Sequence, residues 1–131
     1  MAIALLLAAG FAAAQEAPRK VVAQQVSSSA WFVQGEASLG TPANRNFISN
    51  AGFVVTPGGV VVIDALGSPQ LARELLAEIA RVTPLPVTHV VVTHYHADHI
   101  YGLQVFRAAG ARIVAHPAAL EYLNSETARQ R

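Results

Sequence analysis

Apolar and polar positions along this chain follow three different rhythms. Trp31-Phe32-Val33 opens the first convincing strand, and Phe53–Val55 and Val60–Ile63 are further aromatic or β-branched runs. The last two are separated by Thr56-Pro57-Gly58-Gly59, turn chemistry that predicts a hairpin. Leu71, Leu75 and Ile79 then recur at i, i+4 and i+8, with Arg73, Glu74, Glu78 and Arg81 interleaved. That spacing predicts an amphipathic helix over Pro69 to Val82, with Ser68 as its N-cap and Pro69 in its first turn. Pro84 and Pro86 end it. Val87 to Thr93 is Val-rich with little polar alternation, as expected of a strand buried on both faces, so the order becomes β-α-β.

Gly35 to Asn46 is rich in Gly, Ser, Pro and Asn and reads as a surface loop or an irregular hairpin. Ile100, Leu103, Val105 and Phe106 predict a second helix stopping at Gly110, and Ala111 to Ala115 a further short strand. His116-Pro117 can open a third helix through Asn124. Glu126 to Arg131 stays compatible with helix, and no Gly or Pro caps it.

Composition narrows the function classes. In 131 residues, 9 Lys+Arg stand against 8 Asp+Glu, a net charge of +1, so neither a basic nucleic-acid footprint nor an acidic tail is present. There is no cysteine. Disulfides, thiolate metal sites and thiol nucleophiles are therefore excluded, and any metal must sit on His, Asp or Glu. Met1 to Ala14 is apolar and uncharged and closes on Ala12-Ala13-Ala14, the form of a signal-peptide cleavage site. It predicts export, to the periplasm or beyond, although the usual basic start is missing; either the true start lies upstream or the signal is weak. The run is too short to cross a bilayer, which needs about 20 apolar residues. Residues 15–30 then read as a polar lead-in, with Gln15 to Gln25 outside the core, and residues 31–131 as one domain.

The chemistry concentrates in Thr93 to Gly102, T-H-Y-H-A-D-H-I-Y-G, at the C-terminal end of the predicted buried strand. That edge is where ligands bind in open α/β sheets. Imidazole and carboxylate suit zinc and other first-row divalent ions, and alternation at His94 and His96 can turn both rings to one side. Taken singly, each His has an ordinary reading as a surface or hydrogen-bonded residue, and Asp98 one as an N-cap. Together, three imidazoles and a carboxylate beside an apolar strand are best satisfied by a cation.

The string His94-x-His96-x-Asp98-His99 after a Val-rich strand resembles the signature of the metallo-β-lactamase superfamily of hydrolases. The likeness extends from about Trp31 to Asn124 and includes a strand ending in an Asp, Val60-Val61-Val62-Ile63-Asp64. It implies an α/β (α+β) fold, an αββα sandwich with one or two zinc ions at the sheet edges. His94 and His96 would hold the first ion, Asp98 and His99 the second. Asp64 would orient the metal-binding loop, or else serve as a turn acceptor ahead of Gly67. The implied chemistry is hydrolysis by metal-held hydroxide, with Asp98 as the catalytic carboxylate that helps position it. Substrates would be small esters, amides, thioesters or lactones. His99, where many β-lactamases of the best-known subclass carry Arg, points to the broader hydrolase group. Asn44 to Phe53 (NRNFISNAGF) and the exported start also resemble zinc hydrolases associated with periplasmic quinoprotein systems.

Remaining polar and aromatic residues have quieter expectations. His89 reads as a satisfied strand histidine, His116 as a capping or packing residue, and Tyr95 and Tyr101 as packing residues. Trp31 reads as core, with the substrate mouth as its alternative, and Gly102 as a point of close backbone approach. A complete domain of the resembled family is about twice this length and is built from two similar halves, of which the chain resembles the first. The expectation is thus an N-terminal fragment, short of ligands and inactive alone. The alternative is a non-enzymatic metal-binding or partner-binding half-domain that pairs with a C-terminal half through an apolar face.

Overall fold

A computed structural model describes residues 18–126. The expected signal peptide at Met1–Ala14 lies outside the described residues. Within them, six strands form one sheet in simple sequential order: β1 (Ala23–Gln25), β2 (Ala30–Val33), β3 (Ala51–Thr56), β4 (Gly59–Ile63), β5 (Val87–Val91) and β6 (Arg112–Val114). β1 to β4 are antiparallel neighbours, whereas β4, β5 and β6 run parallel. The change of direction follows from the connections. Thr56-Pro57-Gly58-Gly59 is short enough for a hairpin, with Gly59 at φ 127, while the β4 to β5 link carries α1 (Pro69–Val82) as a crossover.

α1 matches the periodicity of its sequence. Ser68 accepts the Leu71 amide at 3.2 Å as the N-cap, Pro69 occupies the first turn, and Leu71, Ala72, Leu75 and Ile79 form the buried stripe. The predicted second helix is divided into α2 (Ala97–Ile100) and α3 (Leu103–Ala108) and stops at Gly110, whose φ of 93 suits glycine. The third is α4 (Ala119–Leu123), where His116 Nδ1 accepts the Ala118 amide at 3.2 Å, a capping role.

Strand register divides the sheet into two unlike faces. Val33, Phe53, Val60, Val62 and Val90 point to one face, where Leu71, Leu75, Leu66 and Phe106 close a fully buried core. Trp31 lies on this face, stacked on Phe53 with ring centroids 5.3 Å apart. The opposite face carries Phe32, Val54, Val61, Ile63, Val91 and Val114, all at least partly exposed. Burial of β5 on both faces is accordingly not found among the described residues: Val87 and Val90 are buried, Val91 is exposed.

The lead-in also differs from expectation. Val21 is buried, and β1 adds an edge strand that the polar run Ala23-Gln24-Gln25 does not announce. Glu78 of α1 fixes it by accepting the Ala23 amide at 2.9 Å while pairing with Arg81 at 2.7 Å. Partial burial pushes the Glu78 carboxyl up, but the amide and the guanidinium outweigh it and hold the group below its ordinary value. A depressed folded pKa gives stabilisation that is complete above the ordinary carboxylate range and lost as pH falls through the lowered value. Glu78→Ala should cost about 1–2 kcal/mol in urea unfolding at pH 7, with the difference from the parent shrinking in acid.

Candidate metal centre

The His-rich string leaves the C-terminal end of β5 and turns into α2, so its side chains stand at the edge where the parallel strands finish. Three imidazoles gather there. The His94 ring lies with its centroid 4.7 Å from that of His96 and 4.1 Å from that of His99. Asp98 faces the same group, its Oδ2 3.5 Å from His99 Nε2. His94 and His96 are exposed, Asp98 and His99 partly buried. α2 has no side-chain cap hydrogen bond, so Asp98 is not serving as an N-cap. All four lie along the same turn, and of them His94 and His99 belong, with Asp64, to the group whose ligand atoms come within 4.8 Å of one another.

Asp64 supplies the buried anchor. It follows β4 in the left-handed region at φ 60, a conformation that Asp tolerates better than most residues. Its Oδ1 accepts the Thr93 amide at 2.8 Å; its Oδ2 accepts the Thr93 hydroxyl at 2.7 Å and meets His99 Nδ1 at 2.8 Å. A carboxylate only accepts, so His99 Nδ1 carries a proton and its Nε2 is the nitrogen turned toward Asp98. The Thr93 hydroxyl has one proton, given to Asp64. Its oxygen must then accept from His94 Nδ1, 2.9 Å away, which in the neutral ring leaves His94 Nε2 with a lone pair. One buried carboxylate therefore sets the tautomer of two imidazoles.

This arrangement has a chemical consequence. His99 Nε2 and Asp98 Oδ2 face each other at 3.5 Å, a contact that a proton on Nε2 or a cation between them would bridge. Protonating the rings together would set like charges side by side, whereas one divalent cation answers several lone pairs at once. Asp64, His94 and His99 offer ligand atoms within 4.8 Å of one another. Of the three, Asp64 already accepts three hydrogen bonds, so direct ligation by it competes with the contacts that orient Thr93 and His99.

Backbone contacts lock the loop from two sides. The Ala65 amide donates to His99 O at 2.8 Å and the Gly102 amide to Leu66 O at 3.1 Å. Any side chain at Gly102 would run into the Ala65 carbonyl, which explains the glycine. From far along the chain, the buried Ser49 hydroxyl donates to the Asp98 carbonyl. Sequence reading misses Ser49, since nothing local marks it, and undervalues Thr93, the first residue of the string. Tyr95 and Tyr101 are exposed rather than packed inward, although Tyr95 lies against Tyr122 at 4.4 Å. His89 meets Thr88 Oγ1 at 3.1 Å, the quiet role expected.

Fold and cluster together define a metal-binding α/β protein, and similarity to known proteins narrows the class. Residues 44–130 match the family model of the metallo-beta-lactamase superfamily. The chain belongs to that superfamily. A metallo-beta-lactamase type 2 from Bacillus cereus is 30% identical over 96 residues, covering 73% of this chain and 36% of that enzyme. A linear primary-alkylsulfatase from a Pseudomonas species is 34% identical over 54 residues, 41% of this chain and 10% of that protein. The solved metallo-beta-lactamase from Pontibacter korlensis superposes with TM-score 0.64 at 25% identity, covering 80% of this chain and 48% of the other. The metallo-beta-lactamase FIM-1 from Pseudomonas aeruginosa, in its mono-zinc form, shares the fold at TM-score 0.64 and 18% identity, covering 79% and 45%. The chain spans less than half the length of each of these relatives. Its six-stranded mixed sheet is the half of the sandwich expected from the sequence.

The tautomer argument is directly measurable. In metal-free protein, two-bond nitrogen–proton spectra should show His94 and His99 carrying their ring protons on Nδ1. Asp64→Asn, which keeps the left-handed backbone accessible, should release His99 from that tautomer and cost about 1–3 kcal/mol of stability. Nε2-protonated rings in the parent would refute the assignment.

Proposed function

We propose that the chain is the N-terminal, metal-binding half of an exported zinc hydrolase that cleaves small esters, amides, thioesters or lactones. His94 and His96 hold one cation in this reading, Asp98 and His99 a second. The observation that carries it is the gathering of His94, His99 and Asp64, whose ligand atoms lie within 4.8 Å of one another, with the His96 ring against His94 and Asp98 Oδ2 3.5 Å from His99 Nε2. The donor set of nitrogen and oxygen without sulfur fits zinc, and FIM-1 is a zinc form. Relatives named as β-lactamases and as an alkylsulfatase support hydrolysis of small molecules. The apolar start at Met1–Ala14 supports export, and no helix among the described residues is long and apolar enough to cross a membrane.

When bound, the cations polarise the scissile group and make water a nucleophile near neutral pH. The protein's own residues prepare the place. Asp64 and Thr93 fix the imidazole orientations, Ser49 and the Ala65 amide hold the backbone of the turn, and the Asp98 carboxylate would serve as a ligand and as an acceptor for a water held there. The exposed sheet face of Phe32, Val54, Ile63, Val91 and Val114 supports a partner: a C-terminal half that covers this face and completes the ligand set.

Zinc content of the purified chain, measured by elemental mass spectrometry after dialysis, tests the reading. His96→Ala and Asp98→Ala should each weaken zinc binding by at least tenfold, about the least that losing even an outer partner of a metal site costs. Equal zinc in the parent and both variants would remove it.

A further inference from the structure

A second feature borders the imidazole cluster without belonging to it. A cavity of about 490 Å³ opens at the C-terminal ends of β5 and β6, between α3 and α4. Its body is apolar, formed by Val92, Ile100, Leu103, Ile113, Ala115 and Ala119. The volume falls within the range of about 300–1,000 Å³ typical of small-molecule sites. The polar side chains in the lining are Thr93, His94, Tyr95, His116, Glu121 and Tyr122.

Two observations connect this cavity to the cluster. His94 belongs to both, its Nδ1 tied back to Thr93 and its ring against His96 and His99. Tyr95, one residue on, lies against Tyr122 of α4 with ring centroids 4.4 Å apart and planes tilted by 32°, and meets His96 edge-on at 5.1 Å, so aromatic contacts run from the metal loop to α4. His116 accepts the Ala118 amide through Nδ1, which leaves its neutral ring with an Nε2–H donor. An apolar chamber that shares His94 with the metal cluster fits a molecule that is apolar along its length and polar where it reaches His94.

We propose that this cavity receives the apolar acyl or alkyl group of the substrate, whose polar end meets the cluster at His94. The assignment of the polar end rests on the hydrolase reading above; that of the apolar group rests on the cavity alone. Selectivity then follows chain length. Each methylene moved from water into the cavity strengthens binding about fourfold until the chamber is full.

The test uses the full chain, with and without zinc, titrated calorimetrically with butanoate, hexanoate and octanoate and with the matching 1-alkanols. Affinity should rise about fourfold per methylene for the alkanols in either state and for the carboxylates in the zinc-loaded state. Ala118→Trp, at an exposed position on the cavity wall, should flatten the series while leaving zinc content unchanged. Tyr122→Ala should weaken octanoate more than butanoate, a check that does not depend on inserting bulk. Failure of zinc binding together with a length-dependent alkanol series that Ala118→Trp abolishes would sink the metal reading and leave the cavity assignment standing. Normal zinc content with a flat series, or with a series indifferent to Ala118→Trp, overturns the cavity assignment. A flat series accompanied by a dimer that Ala118→Trp dissociates gives the cavity to a second copy of the chain and overturns it equally.

Discussion

One buried carboxylate governs the chemistry of this molecule. Asp64 lies at the end of a strand inside the core layer, and its oxygens accept from the backbone and hydroxyl of Thr93 and from His99. Burying a charge is costly unless its lone pairs are answered, so those partners are forced to stay. Through them the constraint propagates: Thr93 dictates the proton position on His94, and His99 is fixed directly. Rings held this way keep one orientation, which a loop of freely rotating histidines would not do.

The backbone around Asp64 carries strain that serves the same end. Asp64 at φ 60 and Leu66 at φ 64 both occupy the left-handed region, and a fully buried leucine has no local reason to be there. Such conformations cost of order 1–3 kcal/mol each and persist only where the surroundings over-determine them. Here the amide of Ala65 reaches His99 O, Leu66 O receives the Gly102 amide, and the Leu66 side chain is locked into the core. The crossing segment and the His loop brace each other, and Gly67 lets the Asn46 backbone and the Asp98 Cα approach closely. Rigidity at the cluster is thus derived from packing of the core layer rather than from the loop itself.

The two sheet faces divide the remaining roles. One is saturated by α1 and α3 and gives the chain its core. The other keeps Val91, Val114 and their neighbours in contact with water, an arrangement that soluble domains tolerate in patches and that marks contact surfaces when the patch is continuous.

Much of this was legible in the residue order. The 3.6-residue rhythm of α1, the hairpin turn at Thr56 to Gly59 and the string from His94 to His99 are local signals, because spacing along the chain converts directly into position on one element. The superfamily resemblance followed from the same string. Strand β1 was not legible, since its polar residues are held by pairing and by Glu78, 55 residues away from Ala23. Nor was the exposure of Val91, because a Val-rich run states that a strand can be buried and not that both faces are. Sequence by itself determined which histidines and carboxylates stand together along the chain and which elements carry them. Only the tertiary structure decided which ring nitrogen of His94 and His99 is held, that Ser49 and Thr93 hold the loop, and that Asp64 is their common anchor. Those facts depend on contacts between residues 29 to 49 positions apart, which no local pattern encodes.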